Sequence, residues 1–180
     1  MIIMRKITVI LLFVIIGISC TNQRQQKLDA INVAESDLMN VATTTPVNNE
    51  KAAYLVELYE EFVKEFPQDS ASPNMLFKAV EILMNIDHPK EAIAGIDSLI
   101  KNYPDYKLLP EAMHLKGFIY DDKLHSAEMA RISFKELINK FPDHNLSKNA
   151  ADYIKILGKT PEEVIREFEL MQKRKDSLKE

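Results

Sequence analysis

Few residues in this chain combine the types and the spacing that catalysis or metal binding requires. His114, Asp121, Asp122 and His125 carry metal-binding groups and lie close together in sequence. They straddle a predicted helix end and its turn. They also lack the two histidines four residues apart that would place two ligands on one helix face. We therefore expect solvated turn residues here rather than a metal site.

The adjacent acidic pairs Glu60-Glu61 and Glu162-Glu163 do not predict a general acid–base site either. Neighbouring residues on a helix point in different directions, so the two carboxylates of a pair cannot share one face. The chain has 4 glycines, too few for a glycine-rich phosphate loop or a nucleophile-elbow motif. The sequence thus predicts no enzyme, no cofactor and no metal.

The composition limits the remaining classes of function. The 180 residues are 46% hydrophobic and 28% charged, which is typical of one globular domain. The formal net charge is −4, whereas a nucleic-acid-binding protein would normally carry a basic surplus. The only cysteine is Cys20, so an intramolecular disulfide is excluded.

Cys20 is the one residue whose position predicts a chemical modification. It follows a cationic start, Arg5-Lys6, and an almost unbroken apolar run over 7–18. This run is shorter than the roughly 20 residues of a membrane-spanning helix and has the length of a secretory signal core. Gly17-Ile18-Ser19-Cys20 resembles the lipobox of bacterial lipoproteins. That resemblance implies cleavage before Cys20 and a diacylglycerol on its sulfur, whose acyl chains hold the protein at a membrane.

The same resemblance implies a location. Thr21, rather than an aspartate, follows the cysteine, which by similarity to enterobacterial sorting favours the outer membrane. We expect residues 1–19 to be a lipoprotein signal peptide and the mature chain to be lipid-anchored in the cell envelope, facing the periplasm. The alternatives are an ordinary signal peptide with a chance cysteine, or an uncleaved anchor.

Residues 20–49 are predicted to be a lipidated tether. Leu28, Ile31, Ala34 and Leu38 recur at helical spacing, which predicts an amphipathic helix near 24–40. Pro46 and the threonines before it end that helix. Two interpretations stay open: a spacer that lifts the domain off the membrane, or a helix that packs on the domain as a cap or acts as a partner helix.

Residues 50–178 contain a repeat marked by three aromatic-proline dipeptides. The dipeptides are Phe66-Pro67, Tyr103-Pro104 and Phe141-Pro142. Their prolines are 37 and 38 residues apart. Twelve, eight and five residues before each proline stand three apolar residues, and this spacing puts them on one helix face. We name each set an apolar trio. The trios are Leu55, Tyr59 and Phe62, then Ala92, Ile96 and Leu99, then Ala130, Phe134 and Leu137.

Small residues add a second spacing to the repeat. Ala79 and Gly117 stand 13 residues before Ala92 and Ala130. Together with the trios, this pattern resembles the tetratricopeptide repeat (TPR) over about 51–171. The resemblance implies an all-α fold, a short TPR-like α-solenoid of antiparallel helix pairs. A last repeat would place Val164, Phe168 and Met171 in the trio positions.

In a TPR protein the first helix of each pair lines a concave groove that binds a partner. The resemblance therefore implies partner-facing positions on three helices of this chain. The alternative is that the apolar members of this set are core. The candidate groove residues are Leu76, Val80 and Leu83, then His114, Phe118 and Asp121, then Lys148, Asp152 and Lys155.

The two resemblances together imply a membrane-tethered scaffold for protein–protein interaction in the bacterial cell envelope. Two groups of envelope TPR proteins are similar. One is the TPR lipoprotein of the outer-membrane β-barrel assembly machinery, and the other is the periplasmic TPR coordinator linked to Tol–Pal and cell division. We expect an envelope protein or peptide as partner, the membrane through the lipid, no nucleic acid and no small-molecule substrate. The alternative function is an accessory substrate-binding lipoprotein of a nutrient-uptake system.

Overall fold

The computed structural model describes residues 22–39 and 48–177. Every regular element in these two ranges is helical and none is a strand, so the described part of the chain is all-α, as the sequence predicted. A π-helical turn, Ile119–Lys123, follows the fifth helix directly. The helices are α1 over 22–39, α2 (Asn49–Glu65), α3 (Ser72–Asn85), α4 (Pro89–Asn102), α5 (Leu109–Phe118), α6 (Ala127–Lys140), α7 (Asn145–Ile156) and α8 (Pro161–Ser177).

The chain divides between Tyr103 and Pro104 into two units, each with its own packing. In the first unit, α2 packs on α3 and α3 packs on α4. In the second unit, α5 packs on α6, α6 packs on α7, and α7 also contacts α5. Within each unit, short turns join the helices that pack on one another.

Three of the helices end in the same backbone conformation. The N–H groups of Phe66, Tyr103 and Phe141 each donate to the carbonyl four residues earlier, at 2.8, 2.9 and 2.9 Å. Their φ angles are −123°, −133° and −132°, and their ψ angles are 57°, 58° and 61°. The proline that follows has no N–H to continue the helix. Each dipeptide therefore stops its helix, as the sequence predicted.

A buried serine fixes the turn after two of these helix ends. The hydroxyl of Ser72 donates to the carbonyl of Phe66, and the hydroxyl of Ser147 donates to that of Phe141, both at 2.6 Å. Each serine lies six residues after its aromatic residue. The corresponding position after Tyr103 is Leu109, whose side chain is fully buried. The turn is thus held by a hydrogen bond in two cases and by apolar packing in the third.

The apolar trios form the core of the two units. All nine trio residues are at most 2% exposed. The small residues upstream of them let the helices approach closely. A Cβ on Gly117 would lie 2.5 Å from Cζ and 2.6 Å from Cδ1 of Phe134, so this glycine leaves the space that the ring occupies. The three apolar trios that precede the prolines are therefore core, and the small residue predicted at Gly117 is required by the packing of Phe134.

Helix α1 packs on the first unit by ionic contacts at its amino-terminal half. Arg24 forms two hydrogen bonds with Asp69 in the turn after α2, and Lys27 pairs with Glu61 and Glu65 of α2 at 3.1 and 3.0 Å. The side chain of Ile31 is buried. Of the two interpretations of the segment before residue 50, the structure therefore favours a helix packed on the domain.

Glu35 contacts two neighbouring helices from the second half of α1. Glu35 accepts a hydrogen bond from the hydroxyl of Tyr59 on α2 at 2.5 Å and one from the ammonium of Lys78 on α3 at 2.8 Å. Because Lys27 lies beside the end of α2 and Glu35 beside its middle, α1 runs antiparallel to α2. Both α2 and α3 thus hold α1 in place.

These contacts lower the pKa values of two carboxyl groups. Burial raises the pKa of Glu35, but the hydrogen bonds from Lys78 and Tyr59 outweigh it, so the pKa is lowered. The hydrogen bonds from Arg24 lower the pKa of Asp69 more than its partial burial raises it. Both groups therefore stabilise the folded state more as carboxylates than as acids.

We expect Gly117→Ala to destabilise the second unit by about 1–3 kcal/mol, the usual cost of overpacking a core. Helix propensity alone would favour alanine by about 1 kcal/mol, so the two effects have opposite signs. Urea denaturation measures the difference. In a Phe134→Leu background the ring is gone and the cost of Gly117→Ala is expected to shrink. An equal cost in both backgrounds would contradict this packing.

We expect acid to weaken the docking of α1. Because the pKa values of Glu35 and Asp69 are lowered on folding, their stabilisation is complete above about pH 5 and is lost as the pH falls further. Thermal unfolding between about pH 5 and pH 3 measures this loss. Glu35→Gln is expected to reduce the dependence, whereas Glu57→Gln, at an exposed position of α2, is the matched control.

Candidate functional site

The structure places the candidate groove residues of the first unit in its core. Leu76, Val80 and Leu83 on α3 are all buried. A Cβ on Gly95 of α4 would lie 2.7 Å from Cγ2 of Val80 and 3.8 Å from Cδ1 of Leu76, so α4 covers this face. This corrects the prediction that the three residues line a partner groove. They are core, the alternative that the sequence left open.

The candidate residues of the second unit take part in an aromatic cluster. The ring centroids of His114 and Phe118 are 4.8 Å apart with nearly perpendicular planes. Phe118 also lies 5.3 Å from Phe134 of α6 and 4.9 Å from Tyr153 of α7. Edge-to-face pairs of this kind contribute about 0.5–1.5 kcal/mol beyond their buried area. His114 and Phe118 therefore join α5 to α6 and α7, and most of their surface is buried in the unit.

His114 stands in this cluster as a neutral imidazole. Burial lowers its pKa, nearby Glu111 raises it and nearby His144 lowers it, and the net shift is downward. An uncharged ring packs against Phe118 without the desolvation cost of an imidazolium. The histidine is therefore a structural part of the cluster at neutral pH.

Asp121 is joined to the same cluster through a hydrogen bond. The hydroxyl of Tyr153 donates to Oδ2 of Asp121 at 2.5 Å. This bond, together with burial, raises the pKa of Tyr153 to about 12. Tyr153 therefore stays protonated, and it links the π-helical turn to α7.

A cleft of about 520 Å³ opens beside this hydrogen bond. It lies between the π-helical turn, the end of α7 and the start of α8. Its walls are chiefly apolar, with one carboxylate and one ammonium group. The lining residues are Asp121, Tyr153, Ile156, Leu157, Gly158, Lys159, Pro161, Val164 and Ile165.

The charged end of the predicted groove lies on the exposed face of α7. Lys148, Asp152 and Lys155 are all exposed. The ammonium of Lys155 pairs with Oδ1 of Asp152 at 2.6 Å. An exposed pair of this kind contributes little to stability, so the charges remain available to a partner. The structure thus brings Asp121 to the cleft and leaves the other three on an open helix face.

Two residues that hold this region were missed from the sequence. Tyr153 follows Ala150 at helical spacing and precedes Leu157 by four, so the apolar period of α7 could have identified it. Arg131 donates to the carbonyls of Ile154 and Leu157 at 3.2 and 3.4 Å and so caps the end of α7. No sequence spacing indicates that contact, because its partners are 23 and 26 residues away.

The histidine and aspartate group considered for metal binding does not converge. Within 22–39 and 48–177, no three His, Cys, Asp or Glu side chains are placed to hold a metal ion. His125 is exposed in a left-handed turn with φ 49°, and Asp122 is exposed in the π-helical turn.

The predicted signal peptide at 1–19, the lipidation site Cys20 and the helix break at Pro46 lie outside the described residues. In the part that is described, no helix is both long enough and apolar enough to cross a membrane. No protein family and no curated protein matches this chain in sequence.

We expect Tyr153→Phe to cost about 1 kcal/mol of stability, because it removes the hydrogen bond to Asp121 but keeps the ring. Tyr153→Ala is expected to cost clearly more, since the contacts with Phe118 and Phe134 are lost too. Urea denaturation measures both. Tyr54→Phe removes a hydroxyl from an exposed tyrosine and is expected to change stability by less than about 0.5 kcal/mol. Equal losses for Tyr153→Phe and Tyr153→Ala would contradict the aromatic contribution.

Proposed function

We propose that this chain is a membrane-tethered, TPR-like adaptor that binds a protein partner in the bacterial cell envelope. The observation that carries the proposal is the repeated helix end. Three aromatic-proline dipeptides share one backbone conformation at the aromatic residue, and their prolines are 37 and 38 residues apart. Each dipeptide follows one buried trio. Repetition at this period is typical of helix-pair repeat proteins, whose stacked helices leave an extended surface for binding.

The second unit offers the better surface for a partner. Its cleft has apolar walls and carries Asp121 and Lys159 at its edge, while α7 exposes Lys148, Asp152 and Lys155. This combination suits an extended peptide that inserts one apolar side chain and places mixed charges on the helix. Apolar anchors in pockets with a polar rim are the usual source of binding energy in such interfaces.

The sequence at Cys20 supports the tether. A thioether-linked diacylglycerol supplies two acyl chains, and a single chain would hold a protein only marginally. By resemblance, the anchored chain faces the periplasm from the outer membrane and serves outer-membrane protein assembly or the coordination of envelope growth with division. That assignment rests on likeness of repeat pattern, because function depends on sites rather than on folds.

We expect Cys20→Ala to release the chain from the membrane fraction, because no thiol remains to carry the lipid. Cell fractionation and incorporation of labelled fatty acid measure this. Ser19→Ala keeps a small residue before the cysteine and is the matched control. If the wild-type chain incorporated no labelled fatty acid, or Cys20→Ala incorporated as much, the lipid tether would be wrong.

The partner is tested by crosslinking in cells and affinity capture of the full chain. Recovery of barrel-assembly or division proteins, weakened by Cys20→Ala, is the expected result. Recovery of a transporter instead would favour the nutrient-uptake function. Reversing two charges on α7, Lys148→Glu with Lys155→Glu, is expected to reduce capture. The matched double variant on α4, Lys90→Glu with Lys101→Glu, is expected to leave it unchanged.

A further inference from the structure

Helix α8 carries an apolar stripe that no described helix covers. The side chains of Ile165, Phe168 and Met171 are 60%, 60% and 54% exposed. With Val164 they lie on one side of the helix, since residues three and four apart share a face. Among the α8 residues whose burial is described, all are exposed except Val164, which is partly buried. The trio that the sequence predicted for a last repeat is therefore not core.

An exposed stripe of this kind indicates a partner. Amphipathic helices in globular proteins normally bury such a stripe. Single exposed apolar residues are common on protein surfaces, whereas continuous exposed apolar stripes are not. The charges along α8 indicate which partner fits. Its first half is acidic, with Glu162, Glu163 and Glu167 against Arg166, and its last turns are basic, with Lys173 and Arg174 against Asp176.

This asymmetry makes α8 complementary to itself in the antiparallel direction. In an antiparallel pair the acidic half of each helix lies beside the basic half of the other. The two helix dipoles then point in opposite directions, which is the favourable arrangement for neighbouring helices. A parallel copy would place like charges together. With Phe168 opposite Met171 of the second copy, Glu167 stands opposite Arg174 of that copy, and the two-fold axis repeats both pairs.

A membrane surface fits the same stripe less well. Interfacial helices carry lysine and arginine on the polar face, which anionic headgroups attract. The polar side of α8 carries Glu162, Glu163 and Glu169 as well as Arg166 and Lys173, so it has no basic surplus. Glu167 already pairs with Lys159 at 2.6 Å, and in the antiparallel pair it would be shared with Arg174 of the second copy.

We propose that α8 is a homodimerisation helix, which pairs antiparallel with α8 of a second copy through Phe168 and Met171. The interface is one helix pair, smaller than the roughly 1,200–2,000 Å² of a standard complex. We therefore expect a dissociation constant on the order of micromolar. This inference goes beyond the proposed adaptor function, and each can fail without the other.

The test is the mass of the full chain in mild detergent, measured by sedimentation over a concentration series. Phe168→Asp is expected to raise the dimer dissociation constant at least about tenfold, as removal of a central aromatic anchor does. The matched control is Leu170→Asp. Leu170 is 55% exposed on the same helix but lies about 160° around it from Phe168, so dimerisation is expected to persist.

Charge reversal tests the antiparallel direction. Glu167→Arg and Arg174→Glu are each expected to weaken the dimer several-fold, and the combined variant is expected to restore it. Circular dichroism checks that every variant keeps its helix. A wild-type chain that is monomeric throughout the series would overturn the proposal. So would a dimer that Phe168→Asp leaves intact, or one that the combined variant fails to restore.

Discussion

The aromatic-proline helix end is the constraint on which both units depend. The aromatic N–H completes the last helical hydrogen bond, and the proline then has no donor for another. Because each helix stops at a fixed distance from its apolar trio, the trio keeps its place in the core of its own unit. A shift of one residue would turn the trio by about 100° and remove it from the core.

Close approach of helices is the second requirement, and small residues supply it. Gly117 makes room for Phe134, whose ring contacts Phe118 and Tyr153. Through that ring, α5, α6 and α7 share one aromatic cluster. In the first unit, Gly95 does the same for Val80. The apolar faces of α3 and α5 are buried, each inside its own unit, which leaves little of them for a partner.

What remains exposed is therefore what the chain can offer to other molecules. The charged face of α7 and the adjoining cleft support an adaptor function, and the apolar stripe of α8 supports self-association. The two surfaces differ in chemistry: α7 offers Lys148, Asp152 and Lys155, whereas α8 offers Phe168 and Met171. An adaptor that also pairs with itself would present two copies of its partner surface, and so bind a repetitive partner more tightly.

The sequence by itself determined the all-α class, the three helix ends and the nine buried trio residues. These are local properties, since proline lacks an N–H and helical period places i, i+4 and i+7 on one face. Tertiary structure alone decided which faces are covered. Leu76 and Val80 are core because α4 lies on them. Helix α1 is docked because Arg24 bonds to Asp69, 45 residues away in the sequence. Phe168 is exposed because no described helix covers it. The sequence pattern of an apolar stripe is the same whether the stripe is covered or exposed. The helix that would cover it comes from a distant segment of the chain, so the local sequence does not show it.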